Sequence, residues 1–233
     1  MADKTIELKG VSAAMATGTA NLLTRSNLAA QLLNAAATAA RTAHGINAND
    51  PQLADPATAT GCIQQSTVAV VMAATALEAC ANEVITDILD RSQDLTPDQR
   101  AEWEGLKNRT QGNVLDKMKE MAKKLKPGAS INKGASPYEE VGTLLLLRNA
   151  LVHFKPAWSD NKEVHESDIA KRIERAVGRS PFYKGEANFP IGYVHYNATK
   201  WAVRAVREAS AEFSRAIGEK DRFANAGFDF TLP

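Results

Sequence analysis

Apolar positions along the chain recur at helical spacings, and no stretch keeps the strict alternation that a strand would need. In residues 11–43, Leu22, Leu23, Leu28, Leu32 and Leu33 return at three- and four-residue steps among Ala, Thr and Asn, which predicts a helix with one apolar stripe. Residues 44–60 contain Gly45, Pro51 and Pro56 and read as a linker or long loop. The helical period resumes in residues 61–91, where Val68, Val71, Met72, Leu77, Val84, Ile85, Ile88 and Leu89 predict a second helix.

Capping signals place the next elements. Thr96-Pro97-Asp98 puts an N-cap residue before a proline at the first helical position, predicting a helix over 97–108. A Lys-rich amphipathic helix over 113–125 closes at Lys126-Pro127-Gly128. Ser136-Pro137, followed by Glu139 and Glu140, repeats the start signal. That helix runs on through the leucines to His153, because Pro156 disfavours helical geometry at Lys155. A short charged helix over 167–177, a loop with a short extended piece over 178–193 and a final helix over 197–217 complete the pattern. Residues 223–233 form an arm expected to dock on the body or on a partner. The expected fold is all-α, divided into a helix with linker (1–60), a helical domain (61–217) and a tail (218–233).

Composition changes this picture little. Apolar residues make up 44% and charged residues 24%, the balance of a water-soluble globular protein. A net charge of +1 supplies no global field for nucleic acid. Lys117, Lys119, Lys123, Lys124 and Lys126 either gather into a local basic face or remain a solvated surface. Cys62 and Cys80 match no zinc or redox spacing and suit small buried hydrophobes in a reducing compartment. The opening MADKTIELKG has no apolar core, so a secretory signal is not expected. The longest nearly apolar run, 68–77, is far short of a membrane span. A cytoplasmic location without membrane attachment is expected.

Most catalytic templates are absent: there is no GxxxxGK[ST], no GxGxxG after a strand, no GxSxG and no HExxH. His44, His153, His165 and His195 share no metal-ligand spacing, so neither a metal nor a cofactor is expected. What remains is Leu144-Leu-Leu-Leu-Arg-Asn-Ala-Leu-Val-His153. A guanidinium directly after four leucines needs a partner or a wet cleft, because burying an unpaired charge is costly. His153 lies about 140° around the helix from Arg148, so the two reach a common cleft only if another surface meets the helix end. The C-terminal end of a helix also favours an imidazolium there. In the second helix, Glu78 and Asn82 stand four apart and share a face among small neighbours, as a solvated stripe would.

The segment Arg148-Asn149-x3-His153 resembles the R-x4-6-H motif of the HEPN superfamily, in which a polar residue follows the arginine. Ala76 to Ile85 is similar to the earlier core helix of that family, and the last helix with Trp201 suits its final element. The resemblance spans residues 61–217. It implies a bundle of four to five core helices, here with an additional N-terminal helix, that dimerises so that two motifs face each other. It further implies a metal-independent endoribonuclease, a toxin or defence effector, that cleaves RNA by attack of the 2′-hydroxyl. His153 would move the proton and Arg148 would hold the phosphate, because a guanidinium fork matches that geometry. Asn149 would orient the histidine or bond the phosphate. Glu78 would pair with Arg148 or add an acid–base group, supported by Asn82. The implied partners are RNA, a second copy of the chain and an antitoxin or nucleotidyltransferase. Three other readings stand beside this one. One is a non-catalytic HEPN module that binds a nucleotide, RNA or protein, and another is a plain helical scaffold. In the third, structural reading, Arg148 bridges to Glu78 and His153 caps its own helix.

Overall fold

The computed structural model describes residues 27–92, 94–109, 112–158, 160–183, 188–224 and 226–233. Among them there are eight α-helices and no strand: α1 (Ala29–Asn49), α2 (Pro56–Arg91), α3 (Pro97–Lys107), α4 (Val114–Leu125), α5 (Tyr138–Val152), α6 (Lys162–His165), α7 (Asp168–Val177) and α8 (Tyr196–Ile217). The all-α class is therefore observed.

The spine is α2, 36 residues long and hence about 54 Å at the ordinary helical rise. By length and hydropathy it is the one described helix that would pass for a membrane span, but such a stretch also suits a core helix, and much of it is buried inside the fold. Small side chains explain how closely α1 lies along it. The buried face of α1 is Ala36, Ala37, Ala39, Ala40 and Ala43 around a single Leu33, and α2 answers with Ala69, Ala73 and Ala76. Faces without bulk let two helix axes approach, because interaxial distance follows side-chain size. Larger residues fill the other side of the core, where α5 contributes Leu144 and Leu147, α4 contributes Met118 and Met121, and α8 contributes Trp201 and Phe213.

The cap expected at Thr96 forms, and two further side chains cap helices for which the sequence reading named no cap. The Thr96 hydroxyl accepts from the Gln99 N–H (3.2 Å), while the Gln99 side chain accepts from the Thr96 N–H (3.0 Å). Asn113 Oδ1 accepts from the Asp116 N–H (3.1 Å) and Ser167 Oγ from the Ala170 N–H (3.2 Å).

Other boundaries move. The first helix runs past His44 and Gly45 to Asn49, while residues 11–26 lie outside the described residues. The expected linker over 44–60 contracts to a short turn, because Asp55 accepts from the Thr58 N–H (2.7 Å) and Pro56 starts α2. Buried Leu53 turns that corner at φ 49°, a left-handed conformation uncommon outside glycine. Pro137 occupies the cap position of α5 rather than its first turn, since the Ser136 hydroxyl donates to Glu140 Oε1 (3.0 Å) and caps no backbone group. The described part of 178–193 holds two single 3-10 turns, Pro181–Tyr183 and Ile191–Tyr193, in place of an extended piece. The four-residue α6 has no counterpart among the expected elements.

The tail docks on the body. Phe223 and Phe230 are buried in the main core, and Arg41 on α1 donates to the carbonyls of Asp229 (3.1 Å) and Thr231 (3.4 Å).

Candidate functional site

The first half of α5 is anchored by Tyr138, Val141, Leu144, Leu145 and Leu147, all buried. Arg148 follows, and its Nη2 forms an ion pair with Glu78 Oε1 across the α2–α5 interface. The Arg148 side chain is only 19% exposed, and its Nε is buried with no partner among the described residues. A guanidinium is thus fixed by one carboxylate with a donor unused, the arrangement that a buried cation needs at minimum.

Beyond Arg148 the helix emerges into solvent. Asn149 is exposed, and so are Val152, His153 and Phe154. His153 is the C-cap, and its N–H donates to the Asn149 carbonyl (2.9 Å), so its backbone closes the helix while its ring stays outside the core.

Two separate hollows take in Glu78, Asn82 and His153 between them. The first, about 240 Å³, is lined by Glu78, Asn82, Arg109, Asn113 and Lys117 among others. Asn82 Oδ1 accepts from Lys117 Nζ (2.9 Å), which also donates to the Lys107 carbonyl (3.3 Å). Burial, with the nearby Arg109 adding to it, pulls the Lys117 ammonium below its ordinary pKa, and Glu78 opposes the shift. Arg109 is held by both oxygens of Glu120 (2.7 and 3.1 Å). Of the expected basic face on α4, Lys117 is therefore turned to Asn82, and Lys124 pairs with Glu102.

The second hollow, about 300 Å³, opens at the C-terminal end of α5 and is lined by His153, Phe154, Lys155, Asn161, Val164 and Phe189 with a few neighbours. The two hollows share no lining residue. Of the residues singled out in the sequence, Glu78 and Asn82 face the first hollow, Arg148 is bridged to Glu78, and His153 faces the second. Within one chain Arg148 and His153 do not meet.

Sequence reasoning missed the builder of the second hollow. His165 is buried, accepts at Nδ1 from the Phe189 N–H (3.2 Å) and reaches the Trp158 carbonyl with Nε2 (3.0 Å). Those two bonds together fit a neutral ring carrying its proton on Nε2. Its one sequence signal was an aromatic in an otherwise charged segment, too slight to single out.

The cysteine thiols play no part here. Both are buried and unpaired, and burial pushes Cys80 up to about 11. Among the described residues no group of three His, Cys, Asp or Glu could hold a metal ion. No protein-family model matches the chain, and no curated protein or solved structure matches it.

Proposed function

We propose that the chain is a metal-independent endoribonuclease of the HEPN type, working in the cytoplasm as a homodimer and serving as a toxin or defence effector. The observation that supports this reading best is the division of labour on α5: Arg148 is fixed against Glu78, and His153 stands exposed at the helix end. An imidazole open to solvent is reachable by a polymer, and a pre-oriented guanidinium costs little to organise when charge develops.

In the proposed reaction the RNA 2′-hydroxyl attacks the adjacent phosphorus. Its proton passes to His153, the P–O2′ bond forms, and the P–O5′ bond breaks. The leaving 5′-oxygen takes a proton from a second imidazole, leaving a 2′,3′-cyclic phosphate and a 5′-hydroxyl. Arg148 stabilises the charge on the phosphorane oxygens, and Asn149, one turn before His153, orients the ring or bonds the phosphate. Because Arg148 and His153 line no common hollow in one chain, a second copy supplies the missing acid and clamp, which isologous pairing achieves without further residues.

The non-catalytic HEPN module, binding RNA, a nucleotide, an antitoxin or a nucleotidyltransferase, has one observation in its favour. Arg148 is already neutralised by Glu78, as in an ion pair that only holds two helices together. The deciding experiment incubates purified protein with structured and single-stranded RNA, with and without EDTA, beside His153→Ala. The nuclease reading expects cleavage that survives EDTA, ends in a cyclic phosphate and disappears in the variant. Absence of cleavage over varied RNAs leaves the module.

A further inference from the structure

The hollow at the end of α5 is more than a place for His153 to stand. Its walls are largely apolar and aromatic, from Phe154, Val164, Phe189 and Pro190, with Asn161 as a polar edge. Among the described residues, Lys155 and His153 are the only ionisable groups lining it, and no carboxylate does. Its volume of about 300 Å³ lies at the lower end of small-ligand pockets.

Trp158, 86% exposed, follows the lining residues Pro156 and Ala157 directly in the chain and stands outside the lining itself. Its ring is bare, yet its backbone is fixed: the Trp158 carbonyl accepts from both His165 Nε2 (3.0 Å) and the Asn161 N–H (2.9 Å). The same His165 ring holds the Phe189 N–H on the opposite wall (3.2 Å). Asn161 Oδ1 caps α6 by accepting from the Val164 N–H (3.3 Å), and its amide N–H groups have no acceptor among the described residues. A large aromatic held out in water on a doubly bonded backbone departs from the usual rule that such groups are mostly covered.

We propose that this hollow is a nucleobase subsite, seating one unstacked base of an RNA strand beside His153. Phe154 and Trp158 supply the stacking faces, Asn161 donates to the edge of the base, and Lys155 draws the phosphate attached to it. Aromatic stacking with hydrogen bonds to base edges is how unpaired RNA is read. Lys155 and His153, with no carboxylate beside them among the described lining residues, favour an anionic polymer over an apolar protein segment. The inference rests on RNA being the substrate and adds to it that the nucleotide next to the cleaved bond selects the site.

The test uses the full chain and a short 2′-O-methyl oligonucleotide, which binds without being cut. Trp103 and Trp201 are buried, so acrylamide quenching of the intrinsic fluorescence reports Trp158. Adding the oligonucleotide is expected to shield Trp158. Read by polarisation of a dye-labelled oligonucleotide, which does not depend on Trp158, Phe154→Ala, Trp158→Ala, or one abasic position in the oligonucleotide should each weaken binding about tenfold, the order of a single base–aromatic stack. Both substituted side chains are exposed, so unchanged thermal unfolding serves as the folding control. A nucleoside monophosphate that shields Trp158 as strongly as the oligonucleotide would point to a free nucleotide as ligand and overturn the RNA subsite. Shielding that grows with protein concentration alone would place a second copy in the hollow and overturn it too. RNA cleavage that is indifferent to base identity and to both alanine variants removes the subsite and leaves the nuclease. Tight, hollow-dependent binding by a protein that cuts no RNA removes the nuclease and leaves the subsite to an RNA-binding module.

Discussion

Two guanidinium groups lean on α2 less than three turns apart, and they behave differently. Arg222, from the segment after α8, lies between Asp87 and Glu83, and all three side chains are less than a quarter exposed. Glu83 is committed further, since its Oε1 accepts from the Leu28 and Ala29 N–H groups (2.7 and 2.9 Å) and so caps α1 from another helix. Among the described residues Arg148 meets a single carboxylate, Glu78, which is 39% exposed, and keeps a buried Nε without a partner. The first cluster joins α1, α2 and the chain after α8, and each of its carboxylates has a structural task. The second ties two helices and leaves bonding capacity over. Alike in chemistry, they differ in what remains unsatisfied, because the buried Nε of Arg148 has no partner among the described residues.

The comparison breaks most visibly in activity. His153→Ala removes the proton-transfer group and should lower cleavage by about 10² to 10⁴. Arg148→Ala should lower it by about 10² to 10³, with Arg148→Lys recovering only part because the planar fork is lost. Single-turnover rates on one RNA measure all three, and a rate equal to wild type in Arg148→Ala would place Arg148 with Arg222 as a structural group.

Stability should show the reverse order. Arg222→Met takes its nearest cation from the nearly buried Glu83 and leaves Asp87 the exposed Arg91 at 4.0 Å, and about 3 kcal/mol of unfolding free energy should be lost. Arg148→Met strands a carboxylate that water already reaches, so about 1 kcal/mol is expected. Urea titrations of the two variants decide this, and equal losses would erase the distinction.

A third effect sharpens the Arg222 side. Cys80 lies in that neighbourhood, its Sγ 3.9 Å from Ser210 Oγ, and burial lifts it to about 11 against about 9 for a free thiol. The unfolded chain therefore loses this proton first, and stability should fall as pH rises from about 9 to about 11. Cys80→Ser or Cys80→Ala should flatten that slope in urea titrations run across the range.

The smallest effect is chemical. Burial keeps the Cys80 thiol protonated and shielded at pH 8, so native protein should resist iodoacetamide there. Mass spectrometry after timed alkylation should find Cys80 labelled faster in Arg222→Met, as local opening grows, and no faster in Arg148→Met.

Helices whose starts rest on local chemistry were legible in the sequence. Thr96 caps where its residue type suggests, because a cap is settled within four residues, whereas the Ser136 hydroxyl donates to Glu140 and caps no backbone group. The boundary between α1 and α2 was not, since an alanine-rich stripe has little polar contrast and Asp55-Pro56 was hidden among other loop-forming residues. At the candidate site, the cost of a lone buried charge showed that Arg148 needs a partner or a wet cleft. Glu78 as that partner came only with the family resemblance and its structural alternative. The hollow at His153 did not follow from any pattern. It joins Ala150, Asn161 and Phe189 from three stretches of chain, and only the fold brings them together.

The tail's hold on α1 has a kinetic meaning. Arg41 reaches carbonyls 188 and 190 residues further along, and Phe230 completes the core from the same segment. Closing so long a loop is slow compared with forming any single helix, so α1 reaches its final hold late, after the chain through residue 231 is available. Opening is linked in the same way: when residues 226–233 lift away, α1 loses part of its seat. Amide exchange in α1 should then follow release of the tail, well below the protection of the α2–α8 contact.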